Sequence, residues 1–193
     1  MCIEQFKEAI YKYQNVISTI FAAISAVASL FAIWQTAALW KTGYEVNKPY
    51  FSLKNPGLEK TDRNPSFELR LTFNNIGGRP AKEFKCKVFI FERPLEKGPY
   101  FHRIFSSSND IAPGDIPTWR EGVAGFKSLD VPTQFYVISI KYRDAITQKL
   151  YKQVFYLVWG GLKDGEGAAG FSHASPEASL EIKNILGSSL FKF

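Results

Sequence analysis

The chain has 193 residues, a formal net charge of +6, 46% hydrophobic residues, two cysteines and two histidines. Two cysteines exclude a disulfide-stapled fold. Without Cys-x-x-Cys or His-Glu-x-x-His, a zinc centre of familiar spacing is excluded as well.

Residues 1–12 form a short flank, and an uncharged run then extends from Tyr13 to Trp40. At about 1.5 Å per residue, some 20 residues of helix cross a bilayer core, so residues 13–40 are predicted to be a transmembrane helix. No Pro or Gly interrupts the run. Aromatic residues mark its two ends, Tyr11 and Tyr13 before and Trp34, Trp40 and Tyr44 after, as interfacial belts do. Two other readings compete: a cleaved secretory signal with Ala26-Val27-Ala28 imitating the cleavage site, and a buried helix of a soluble protein. The run is much longer than the roughly 7–15 apolar residues of a signal peptide.

Within this run, Ser18, Ala22, Ser25, Ser29, Ala32 and Thr36 recur at alternating spacings of four and three. Bulky Ile17, Phe21, Ile24, Leu30, Phe31 and Ile33 occupy the rest of the surface. In lipid, helices associate through close backbone approach and hydroxyl hydrogen bonds rather than through a hydrophobic drive. A thin seam of period 3.5 supplies both and favours left-handed packing. Self-association along this seam is therefore expected, the alternative being chance in an Ala-rich segment.

Residues 41–48 read as a juxtamembrane linker. Positive residues mark the cytoplasmic side of a span. Only Lys7 and Lys12 precede the helix, offset by Glu4 and Glu8, whereas Lys41, Lys48, Lys54, Lys60 and Arg63 follow it. The C-terminal domain is thus expected in the cytoplasm, on a single-pass protein of the bacterial inner membrane. Cys2 and Cys86 lie on opposite sides of the span, which agrees with reduced thiols; Cys86 reads as a small core residue, and Cys2 as a weak acylation candidate.

About 150 residues remain, enough for one domain. Nearly all of the net positive charge lies there, which suits anionic headgroups or nucleotides and is also ordinary for a domain beside a membrane. Residues 49–160 alternate with period two. Phe67, Leu69, Leu71 and Phe73 face one way in the clearest strand. A turn-rich Asn74–Ala81 follows, then a strand from Phe84 to Phe91 with Cys86, Val88 and Ile90 on one face. Further strands are predicted at Tyr100–Phe105, Gln134–Tyr142 and Leu150–Trp159, with shorter ones at Tyr50–Leu53 and around Trp119 and Phe126. Asn55-Pro56-Gly57, Lys97-Gly98-Pro99 and Ala112-Pro113-Gly114-Asp115 read as loops. Short strands punctuated in this way predict a mainly β fold, an antiparallel sandwich of immunoglobulin type or a small barrel.

Opposite Cys86 and Val88, the same strand directs Lys85, Lys87, Phe89 and Phe91 to its other face. If the preceding strand pairs with it as a hairpin, Arg70 joins them. Basic side chains beside aromatic rings suit phosphates and bases together. The competing reading has Lys85 and Lys87 solvating an exposed face while Phe89 and Phe91 go under a loop or the C-terminal helix.

Residues 161–174 read as a Gly-rich loop. Its Gly165-Glu166-Gly167-Ala168-Ala169-Gly170 matches Gly-x-Gly-x-x-Gly, but a dinucleotide fingerprint turns directly from strand to helix, and here Ser-His-Ala-Ser-Pro intervenes. Residues 175–193 form a helix and tail: Ser175-Pro176-Glu177 is a strong helix start, and Leu180, Ile182, Ile185 and Leu186 give an apolar face before Gly187. This helix is expected to cover a sheet edge or open end, or to bind a partner protein. Asp144 and Asp115 read as turn residues. No nucleophile motif is present, so neither enzyme activity nor a cofactor is expected.

The strings "TFNNIGGRPAKEFKCKVFIF", "IAPGD" and "FYVISIKYRDAITQKLYKQVFYLV" resemble immunoglobulin-like β-sandwich domains of bacterial surface and membrane-tethered proteins. The resemblance covers roughly Pro49 to Trp159 and implies architecture; many such proteins have no assigned role. A helix ahead of a small β-domain is also similar to the transmembrane β-barrel effectors of CBASS antiviral defence, although those typically carry two spans. That likeness implies a non-enzymatic membrane effector or sensor with a nucleotide as a candidate ligand. The other expectation is a scaffold that tethers a cytoplasmic partner. Membrane lipids and copies of the same chain are the remaining expected partners.

Overall fold

A computed structural model describes residues 2–60, 67–123, 131–163, 166–167 and 170–193. The chain divides into two compact units, Met1–Asn47 and Lys48–Phe193.

The first unit is a single helix, α1 (Cys2–Val46), 45 residues long. From Ile10 to Val46 it is long and apolar enough to cross a membrane, and every side chain in that stretch is exposed. A helix that is apolar all round is not stable in water, and a bilayer is the solvent that suits it. The backbone needs no outside partner. The hydroxyls also turn inward: Ser29 Oγ donates to Ser25 O and Thr36 Oγ1 to Ala32 O, each at 2.8 Å. The helix continues six residues past Trp40, so most of the expected linker is helical.

The second unit is a two-layer β-sandwich. Its strands are β1 (Phe51–Lys60), β2 (Phe67–Asn75), β3 (Ala81–Glu92), β4 (Phe101–Ser106), β5 (Thr118–Val123), β6 (Gln134–Asp144), β7 (Leu150–Trp159), β8 (Leu162–Lys163), β9 (Glu166–Gly167) and β10 (Phe171–His173). One sheet has the order β1-β2-β5 and the other β10-β7-β6-β3-β4, with β8 and β9 a separate small hairpin. All pairings are antiparallel. The alternation read from the sequence sets the core. Phe51, Leu69, Leu71 and Phe73 of one sheet meet Phe84, Cys86, Val88, Ile90, Tyr136, Ile138 and Ile140 of the other. Trp119 stacks on Phe84 across the layers, with ring centroids 5.0 Å apart and planes at 11°.

Three expectations change. Asn55-Pro56-Gly57 lies inside β1 rather than in a loop, where the register against β2 shifts between Lys54 and Gly57 and Asn55 takes φ +39. A bulge in an edge strand accommodates both Pro and Gly. The segment expected as a Gly-rich loop contains the β8–β9 hairpin and β10, which pairs with β7. Most importantly, β2 and β3 are not a hairpin: the turn between them carries the chain from one sheet to the other. The strand around Trp119 ends at Val123, and Phe126 lies outside the described residues.

A buried amide organises the end of the sandwich nearest Lys48, here termed the proximal end. Asn75 Nδ2 donates to Arg79 O at 2.9 Å and Ile111 O at 3.1 Å, while its Oδ1 accepts from Gly77 N at 3.1 Å and Tyr50 N at 3.3 Å. One side chain therefore ties the incoming segment, the β2–β3 turn and the β4–β5 loop, with its hydrogen-bonding capacity filled.

The tail closes the fold. Ser175 Oγ caps α2 (Pro176–Leu186) by accepting from Ala178 N at 3.3 Å, and a 3₁₀ turn follows over Gly187–Phe191. Ala178, Ile182, Leu186 and Leu190 form a second apolar cluster with Phe89, Phe91, Leu95, Phe135 and Val137. The tail thus covers the outer face of the five-stranded sheet.

Candidate functional site

That outer face changes character along its strands. Toward the distal end it is apolar and lies under α2. Toward the proximal end it becomes basic: Lys85 stands directly opposite Lys141 in the β3–β6 register, and Lys141 directly opposite Lys152 in the β6–β7 register. Three ammonium groups thus share one row across three adjacent strands. Like charges directly opposite one another destabilise a sheet. One step along, Lys87 is opposite Ser139.

The C-terminal tail runs along this row. Lys87 Nζ donates to Lys192 O at 3.2 Å and sits 4.8 Å from the Phe89 ring centroid. Lys152 Nζ lies 4.9 Å from the Phe191 ring and Lys141 Nζ 5.8 Å from the Phe193 ring. Ser139 Oγ donates to Leu190 O at 2.6 Å and pins the tail in place. Ring faces compensate part of the mutual repulsion, at roughly 0.5–1 kcal/mol each where exposed. What remains is a concentrated positive field beside two aromatic rings, an arrangement that attracts anions.

The structure sorts the expected ligand residues. Lys85 and Lys87 belong to this face. Phe89 and Phe91 are buried under α2 and offer no ring to a ligand. Arg70 is on the other sheet, where its Nη1 pairs with Glu59 Oε1 at 2.7 Å. The sequence marks Leu190–Phe193 as an apolar end that docks on the domain or touches the membrane surface, and the structure docks it on the sheet; Lys141 and Lys152 were not singled out. A signal for these two was present, since a short turn after "KYRD" sets Lys141 against Lys152, but the pairing with Lys85 is long-range.

On α1, Ser18, Ala22, Ser25, Ser29, Ala32 and Thr36 are all exposed. Behind the basic face, Cys86 points into the core, and burial pushes its thiol far up. Among the described residues no three His, Cys, Asp or Glu side chains converge as metal ligands. Asp144 and Asp115 act as turn residues: Asp144 Oδ1 accepts from Ile146 N at 2.8 Å, and Asp115 Oδ2 from Ala112 N at 2.8 Å.

No curated protein matches this chain. Among solved structures it is similar to the Parabacteroides merdae β-glucuronidase, at 12% identity over 61% of this chain and 16% of that one, with a TM-score of 0.29. The same enzyme with glycerol in its active site matches over the same shares, at 12% identity and a TM-score of 0.30. The chain thus spans a small part of the length of those enzymes. The family profile Domain of unknown function (DUF8453) matches residues 15–163, from within α1 to the end of β8, and the chain belongs to that family.

Proposed function

We propose that this chain is a non-enzymatic, single-pass membrane protein that works by binding and assembly. In this reading α1 anchors it in a bacterial inner membrane, copies pack along the Ser18–Thr36 seam, and the sandwich, on the cytoplasmic side, takes an anionic partner on the Lys85–Lys141–Lys152 row. The observation that carries the reading is the pairing of a wholly exposed apolar helix with a domain whose own core is complete without it. A nucleotide or another phosphate-bearing ligand fits the basic row. An effector or sensor role in antiviral defence is the extension that the CBASS likeness supports.

The test uses the full chain expressed in bacterial membranes. Resistance to carbonate extraction together with loss of crosslinked oligomer in the Ala22→Leu, Ser29→Leu double variant is the expected result. A chain released by carbonate, or oligomers unchanged by both leucines, would overturn anchoring or seam assembly respectively.

A second reading, a scaffold tethering a cytoplasmic protein, is favoured by α2. It covers the sheet with Ile182 and Leu186 yet leaves Leu180 exposed on its far side and Ile185 exposed at its flank. Co-purification of a stoichiometric partner lost on Leu180→Glu would select this reading.

A further inference from the structure

The proximal end collects apolar side chains that folding does not require. The chain comes in through Lys48–Tyr50, the β2–β3 turn contributes Ile76, the loop before β5 contributes Ile116, and the β6–β7 turn contributes Ile146. Backbone hydrogen bonds hold these segments side by side: Ile76 N donates to Tyr50 O at 2.8 Å, Asn75 N to Asp115 O at 3.2 Å, and Ala145 N to Pro80 O at 3.0 Å. Ile76 is 57% exposed, Ile116 51% and Ile146 63%. Of the nine large apolar side chains exposed among the described residues from Tyr50 onward, five are at this end: Tyr50, Ile76, Ile116, Ile146 and Leu150. Single exposed apolar residues are ordinary, whereas a cluster on turn tips marks an interaction surface.

The same end is basic. Lys82 stands opposite Arg143 in the register, Lys149 closes the turn that bears Ile146, and Lys48 begins the domain. The acidic groups nearby are partly engaged. Glu83 pairs with Arg143 at 3.2 Å and Asp144 is buried against Arg79, while Asp110 and Asp115 are exposed. Reach also limits what this end can meet. After the uncharged run, Lys41–Val46 adds only about 9 Å of helix before the sandwich begins. A basic ring around apolar tips is the composition that binds anionic headgroups.

We propose that the proximal end of the sandwich docks on the anionic lipid surface of the membrane that α1 crosses. Ile76, Ile116 and Ile146 seat between headgroups, and Lys48, Lys82 and Lys149 face the lipid phosphates. Docking holds the Lys85–Lys141–Lys152 row beside the membrane. This rests on α1 lying in a bilayer, so the experiment reads both.

The full chain, carrying Cys2→Ser, is reconstituted into phosphatidylcholine nanodiscs with and without phosphatidylglycerol. An environment-sensitive fluorophore is placed on a single introduced cysteine, by Ile146→Cys, Leu180→Cys or Ile24→Cys; buried Cys86 stays unlabelled. Quenching by a spin-labelled lipid is then measured. The expected result is quenching and a blue shift at positions 24 and 146 but not 180. The signal at 146 should be lost without phosphatidylglycerol and weakened by Ile76→Ser with Ile116→Ser. If position 146 stays as water-exposed as 180 while 24 is quenched, docking is wrong and the anchor stands. If 24 is not quenched, both fall. Equal quenching at 146 without phosphatidylglycerol overturns the anionic lipid as the partner.

Discussion

Arg79 Nε lies 3.2 Å from Asp144 Oδ2 with both side chains buried, an ion pair that locks the β2–β3 turn to the β6–β7 turn. The contact is ionic rather than a well-aligned hydrogen bond, because the carboxylate is oriented by its own turn, where Oδ1 accepts from Ile146 N and Thr147 N. Removing one member of such a pair leaves a buried charge uncompensated and costs about 3–5 kcal/mol. Asp144→Asn should therefore lower the thermal midpoint of the detergent-solubilised chain by roughly 10 °C. Adding Arg79→Met should recover part of that loss. Additive losses in the double variant would show that the two side chains act separately.

Gly77 is fixed by its neighbours rather than by its φ angle. A Cβ there would come 2.6 Å from Tyr50 N and 2.7 Å from Pro49 Cα, with Lys48 O closer still, and all of these are backbone atoms. Gly77→Ala should cost about 1–3 kcal/mol, since only a main-chain shift relieves the overlap. Gly114 faces open space but has φ +84, so Gly114→Ala should cost about 1 kcal/mol from backbone strain alone. Chemical denaturation midpoints that reverse this order would contradict the packing at the proximal end.

Burial pushes up the Cys86 thiol and the phenols of Tyr136 and Tyr142, and burial followed by the charge of Glu92 does the same to Tyr100. Each group ionises less readily folded than unfolded. Its stabilising contribution is complete below the unfolded value and is lost as pH rises above it. The decline should begin near pH 8.5 for the thiol and near pH 10 for the phenols. Midpoints recorded across that range should fall, and Cys86→Ala should flatten the first part of the fall. A midpoint constant from about pH 8 to pH 11 would contradict the burial of Cys86, Tyr136 and Tyr142.

The lysine row predicts a trade between stability and binding. Lys85→Glu places opposite charges across the β3–β6 pair, which should stabilise the domain by about 0.2–1 kcal/mol. The same change should reduce retention of the full chain on heparin, because the positive field of the row is lowered. A variant that is no more stable and elutes with the parent protein would show that the row is only a solvated face.

Much of this molecule follows from local pattern. The uncharged Tyr13–Trp40 run dictates a helix too apolar for water, because each residue adds transfer free energy whatever the rest of the chain does. Period-two alternation in Phe67–Phe73 and Phe84–Phe91 fixes which side chains share a face, and Ser175-Pro176 starts α2 through groups a few residues apart. Tertiary structure decided the rest. Alternation says nothing about which strand lies alongside, so Arg70 and Lys85, each read correctly as facing away from a core, fall on different sheets. The Lys85–Lys141–Lys152 row joins residues up to 67 positions apart, and Phe89 becomes buried only when a helix nearly 90 residues later docks on it. Pairing of that range is set by how whole faces and turns fit together, a property of the assembled layers rather than of any segment.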